Sequence, residues 1–138
     1  MKQFFFFLIF LAMLSPRLCA QQSDYRVVFD ITSKDTNAHK TVIRQAGSIH
    51  KANPEAKLEV VLYGQSLDMV LKDKSVVADD IQKLAANKNV SFKVCAFTLK
   101  RHNVDVSQLL PGVGTVPDGI YEIITRQREG WGYIKVAQ

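Results

Sequence analysis

The residue best placed to do chemistry in this chain is Cys95, in the run Val94-Cys95-Ala96-Phe97-Thr98-Leu99-Lys100. It is the penultimate residue of a strand-like stretch, Val90 to Ala96 (VSFKVCA), and open α/β folds take their ligands at the carboxyl ends of parallel strands. The residues after it, Phe97 to Lys100, suit a helical turn whose backbone N–H groups, together with Lys100, would favour thiolate over thiol. A free cysteine is also a small hydrophobe that fills cores, so position alone leaves both roles open.

Other chemistry-bearing residues lack their partners. His39 and His50 lie on one helical stretch about 16 Å apart along its axis, too far to share an ion whose ligands sit about 2 Å away. His102 has only Cys95 near it in sequence. All three read as helix-end and surface histidines, and no metal site is expected. Gly112-Val113-Gly114 with Gly119 has the wrong spacing for a dinucleotide loop, is broken by Pro117, and falls late in the chain rather than after the first strand. The sequence has no phosphate-loop lysine motif, G-x-S-x-G elbow or H-E-x-x-H helix, so the common hydrolase and nucleotide-binding mechanisms lack their parts.

The amino terminus reads as a secretory signal peptide over residues 1–20: Lys2, an unbroken apolar run from Phe4 to Leu14, a break at Ser15-Pro16-Arg17, and small Ala20 at the cleavage point. The apolar run is shorter than the roughly 20 residues a permanent transmembrane helix needs, so no stable membrane insertion is expected. Lipid attachment at Cys19 fits poorly, because bulky Leu18 and Arg17 precede it. The expectation is an exported protein, periplasmic or extracellular, made of one domain over residues 21–138.

Loss of the leader removes Lys2 and Arg17, which reduces the formal net charge of +5. The remaining basic residues are scattered apart from Lys100-Arg101-His102 and Arg126/Arg128, without the aromatic-interleaved stripe of a nucleic-acid binder. Of the two cysteines, only Cys95 survives cleavage, so no intramolecular disulfide can form. Cys95 is then buried and inert, bridged between chains, or reactive.

The elements that must position it follow from periodicity. Tyr25 to Ile31, Leu58 to Tyr63 and Val90 to Ala96 are β-branched and aromatic runs separated by helix-length stretches, the rhythm of a parallel sheet covered by helices. A first helix is predicted from Asn37 to Ala52, with His39, Val42, Ile43, Ala46, Ile49 and His50 on its packing face. A second runs from Val76 to Asn87 with Ser75 as N-cap, and one or two turns lie between Gly64 and Lys74, with Leu67, Val70 and Leu71 as the apolar side. A third runs from Ile120 to Glu129 with Ile120, Ile123 and Ile124 inward, stopped by Gly130. Val113 to Val116 and Trp131 to Val136 complete five strands.

Taken together, Val61-Leu62-Tyr63-Gly64, the run around Cys95, Leu109-Leu110-Pro111-Gly112-Val113, Val116-Pro117-Asp118-Gly119 and Glu129-Gly130-Trp131-Gly132-Tyr133-Ile134-Lys135 resemble the DsrE/DsrF-like family of sulfur-relay proteins, from Tyr25 to Lys135. The resemblance implies a three-layer α/β/α fold with a mostly parallel sheet of about five strands. It implies a homotrimer or homohexamer, no metal or organic cofactor, and exchange of sulfur with small sulfur species or a donor or acceptor protein. By the same resemblance Cys95 matches the cysteine that carries sulfane sulfur as a persulfide. Thr98 shapes its pocket, and Gly64, Phe97 and Lys100 are the other candidate binding residues. Phe97 stands where many relatives have a small polar residue, which makes the pocket more apolar. Phe97, Leu67 and Leu71 are expected to form a lid over the thiol. The alternative is a non-enzymatic oligomeric binding or assembly module of the same fold in which Cys95 is structural.

Overall fold

The computed structural model describes residues 24–136. The proposed leader, with Cys19, lies outside the described residues.

The chain runs β1 (Arg26–Ile31), α1 (Thr36–Ala52), β2 (Lys57–Leu62), a 3-10 turn (Ser66–Val70), α2 (Ala78–Ala85), β3 (Val90–Cys95), α3 (Ala96–Arg101), a second 3-10 turn (Val106–Gln108), β4 (Val113–Val116), α4 (Gly119–Arg128) and β5 (Gly132–Lys135). The strands form one sheet in the order β4-β3-β2-β1-β5, and every pairing is parallel. The first three crossovers step the chain toward one edge and the last returns it to the other. Because parallel crossovers are right-handed, that reversal carries α4 over the opposite face of the sheet.

Strand alternation divides the work between the two faces. Val27, Phe29, Ile31, Leu58, Val60, Leu62, Val90, Phe92 and Val94 point to the main core, where Val42, Ala46, Met69, Val70 and Ile81 meet them. The other face is covered by α4 and holds a much smaller apolar cluster of Val28, Val61 and Ile123, with Tyr63 and Trp131 against it. This second face also carries the buried carboxylates Asp30 and Glu59. No helix among the described residues is long and apolar enough to cross a membrane.

The local signals hold with small shifts. Asp35 caps α1 by accepting the Asn37 N–H at 2.8 Å, and the Asn53 N–H closes the helix on the Ile49 carbonyl ahead of Pro54. Gly130, at φ +85°, ends α4 in the left-handed region that favours glycine. The helix expected over Val76 to Asn87 is shorter, because Ser75 Oγ accepts the N–H of Val77 in a tight turn before the helix begins. His39 is not a surface residue: it is buried, and its Nε2 lies 2.8 Å from the Ser33 carbonyl, to which it donates.

The larger correction concerns α4. Ile123 is buried as expected, but Ile120 and Ile124 are 56% and 44% exposed. The cause is Glu59 on the sheet beneath. Arg126 turns inward to pair with it at 3.2 Å, held also by Glu122 at 2.8 Å and Glu129 at 3.0 Å, with its guanidinium 5.1 Å from the centre of the Trp131 ring. Aiming Arg126 at the sheet places Gly119 and Ile123, at i−7 and i−3, on the same side and rotates Ile120 and Ile124 outward.

Two phenylalanines near one another in sequence test this division of faces. Phe92 is fully buried on β3, whereas Phe97 is 60% exposed on α3. Phe92→Ala is expected to cost about 3–5 kcal/mol of folding stability. Phe97→Ala should stay within about 0.5 kcal/mol. Urea midpoints at unchanged slope measure both.

Candidate functional site

Cys95 ends β3 and is at once the N-cap residue of α3, so the thiol sits where the strand turns into the helix at the carboxyl edge of the sheet. It is paired with Val116 of β4 and is 7% exposed. The start of α4 packs directly on it: a Cβ added at Gly119 would lie 3.3 Å from each of Cys95 Cβ, Tyr63 Cδ1 and Val61 Cγ1. Glycine at 119 is therefore a close-approach residue, and it lets the end of a ten-residue helix reach the cysteine.

Around Cys95 is a cleft of about 280 Å³. Tyr63 and Gly64, just past β2, form one wall, and Phe97, Thr98 and Arg101 of α3 form another. Asp118 and Ile120 close it from the start of α4. A second hollow, of about 370 Å³, opens at the amino end of α2 beside Val77, Asp79 and Lys83. Neither Cys95 nor any other residue expected at the site lines it.

Of the residues expected from sequence, Cys95, Gly64, Phe97 and Thr98 come together here. Gly64 adopts φ +65°, and its N–H donates to the buried Thr98 Oγ1 at 3.2 Å, which ties the end of β2 to α3. Lys100 does not line the cleft; Arg101 does. At about 100° per residue, Phe97, Thr98 and Arg101 share one side of α3, while Lys100 falls about a quarter-turn or more from its centre. Leu67 and Leu71, expected in a lid, are instead buried in the main core, and Phe97 stands at the rim of the cleft.

Four residues missed from sequence shape the site. Tyr63 was legible only as the end of a strand, and Asp118 only as part of the run Val116-Pro117-Asp118-Gly119; in the structure it caps α4, its Oδ1 accepting the N–H groups of Ile120 at 2.8 Å and Tyr121 at 3.1 Å. Arg101 lay in a basic run with no sign of which member faces inward. Asp30 gave no signal at all. Its buried carboxylate accepts the hydroxyl of Tyr133 at 2.7 Å and that of Tyr63 at 3.3 Å on Oδ2, and Lys135 Nζ at 2.9 Å on Oδ1. Lys135 also lies 5.6 Å from the centre of the Tyr63 ring. One carboxylate thus fixes the tyrosine that walls the cleft to the last strand of the chain.

This network holds both phenols protonated. Burial, followed by the negative charge and hydrogen bond of Asp30, pushes Tyr63 up to about 12. The hydrogen bond to Asp30, followed by burial, does the same for Tyr133.

The family model of the DsrE/DsrF-like family matches residues 26–136. Among solved structures, a protein of unknown function, MTH1491 from Methanobacterium thermoautotrophicum, is similar at 33% identity and a TM-score of 0.76, covering 81% of this chain and 99% of its own. The ychN protein from E. coli is similar at 14% identity and a TM-score of 0.69, over 81% of this chain and 98% of its own. BT1422 from Bacteroides thetaiotaomicron, a conserved protein of unknown function, is similar at 14% identity and a TM-score of 0.67, over 84% and 98%. These neighbours share the five-stranded α/β fold. No curated protein matches the chain.

The Asp30 network makes a prediction about pH. With both phenols raised from the ordinary 10 to about 12, the folded chain holds more protons than the unfolded one between those values. The stability they contribute is complete below pH 10 and is lost as pH rises through about 12. Absorbance titration of tyrosinate should show two tyrosines ionising near pH 12, and Asp30→Asn should bring both back toward 10. An unchanged titration in that variant would show that Asp30 does not hold them.

Proposed function

Given that this chain belongs to the DsrE/DsrF-like family, whose fold is of the sulfur-relay type, we propose that it is a sulfur carrier that accepts sulfane sulfur as a persulfide on Cys95. The observation that carries this reading is the placement of Cys95 at the carboxyl end of β3, facing a cleft framed by three separate parts of the chain. The Cys95 thiolate attacks the outer sulfur of a donor R–S–SH. A sulfur–sulfur bond forms to Cys95, the bond between that sulfur and the donor breaks, and its electron pair leaves on R–S⁻. An acceptor thiolate then takes the outer sulfur from Cys95–S–SH in the same way and returns the Cys95 thiolate. The exchange consumes no oxidant, and its rate follows thiolate fraction and access. The protein works after export and removal of residues 1–20, outside the cytoplasm.

The low exposure of Cys95 favours a second reading, a binding or assembly module in which the cysteine only packs. Sulfur loading separates the two. The purified protein treated with inorganic polysulfide should gain mass in steps of one sulfur at Cys95, and Cys95→Ser, nearly equal in size, should fold normally and gain none. Equal loading of both proteins removes the carrier reading, and no loading of either selects the packing role.

Members of this family often form oligomers. Here the outward rotation of α4 leaves Ile120, Tyr121 and Ile124 exposed. Exposed apolar side chains of this kind mark contact surfaces, and the protein assembles as a homotrimer or homohexamer. Light scattering should give a mass at least three times that of one chain; a monomer at micromolar concentration would refute the assembly.

A further inference from the structure

The cleft at Cys95 carries two opposite charges that the exchange chemistry itself does not need. Arg101, the last residue of α3, and Asp118, the residue before α4, both line it. Among the described residues, neither forms an ion pair with the other or with a third group. Asp118 commits Oδ1 to the two backbone N–H groups at the start of α4, and no contact among the described residues occupies Oδ2. The end of α4 is thereby capped by the chain's own carboxylate, so Arg101 is the cationic side chain of the cleft. The apolar side chains of Phe97 and Ile120 complete the rim.

From this arrangement we infer that the sulfur donor is a small α-amino-acid persulfide, such as cysteine persulfide, bound as a zwitterion. The inference rests on the carrier reading of Cys95. The guanidinium of Arg101 offers paired donors that match a carboxylate, and Asp118 Oδ2 is free to accept from an ammonium group. Size is compatible: the cleft of about 280 Å³ has room for a small amino-acid persulfide. An inorganic polysulfide anion satisfies Arg101 but is repelled by Asp118, and it offers nothing to the apolar rim. With the carboxylate and ammonium held, the side chain of the donor directs its outer sulfur to Cys95, and the step is the one written above, releasing the free amino-acid thiolate.

The test compares sulfur loading rates on the native protein, Arg101→Gln and Asp118→Asn, followed by intact mass with cysteine persulfide and with inorganic polysulfide as donors. Asn is as good a helix cap as Asp, so α4 keeps its start, and thermal midpoints check the folding of both variants. With cysteine persulfide each variant should load about tenfold more slowly or worse, the loss expected for a charged hydrogen bond. With polysulfide, Arg101→Gln should also slow loading, but Asp118→Asn should speed it by removing a like charge. That opposite response to one substitution is the signature of zwitterion recognition. If Asp118→Asn changes both donors alike or changes neither, or if the native protein loads from polysulfide and not from cysteine persulfide, the inference falls while the carrier reading stands. If the native protein loads from neither donor, both fall together.

Discussion

Much of this molecule depends on one buried carboxylate meeting one arginine. Glu59 sits on the central strand β2 with its side chain 3% exposed, and burial pushes its carboxyl above the usual range. A charge in that position has to be paired or neutralised. Arg126 supplies the pair from 67 residues away, and the two further carboxylates and the Trp131 ring around it keep its side chain in place. Since the guanidinium remains partly exposed, the net gain in stability is modest. The main consequence is geometric. With Arg126 aimed at the sheet, the rotation of α4 about its own axis is set.

That rotation decides what happens two turns earlier. Gly119 comes down against Cys95, Val61 and Tyr63, and the neighbouring Asp118 and Ile120 become the rim of the cleft. The same rotation faces Ile120, Tyr121 and Ile124 outward as apolar surface. An ion pair under the middle of the helix therefore governs both the shape of the candidate site at its start and the character of the surface beside it.

The two faces of the sheet are specialised accordingly. One is closed by the large aliphatic core under α1 and α2, which supplies most of the buried apolar area. The other holds few apolar residues and most of the polar fixtures: Asp30 binds Tyr63, Tyr133 and Lys135 together near the carboxyl edge, and Glu59 anchors α4. Cys95 lies on this second face. Its shielding comes from the close approach of Gly119 and from its strand neighbours, while Phe97 at the rim leaves an entry for small molecules.

The local patterns of the chain determined the strands, the α/β class, the stop at Gly130 and the position of Cys95 at a strand end, because each depends on residues within a few positions of one another. Val113 to Val116 and the strand around Gly132–Lys135 were legible for the same reason. What periodicity could not decide was which side of a short helix turns inward. Ile120, Ile123 and Ile124 are equally apolar, and only Glu59, brought underneath by the sheet, breaks the tie in favour of Ile123. Arg101 entering the cleft in place of Lys100 is the same kind of outcome on α3. The Asp30 network joins residues 33, 103 and 105 positions apart, a juxtaposition that exists only after β1, β2 and β5 have paired in register. Tertiary structure decided these contacts because a charge buried by strand pairing constrains every side chain that must come to meet it, and no short stretch of sequence records where that charge will lie.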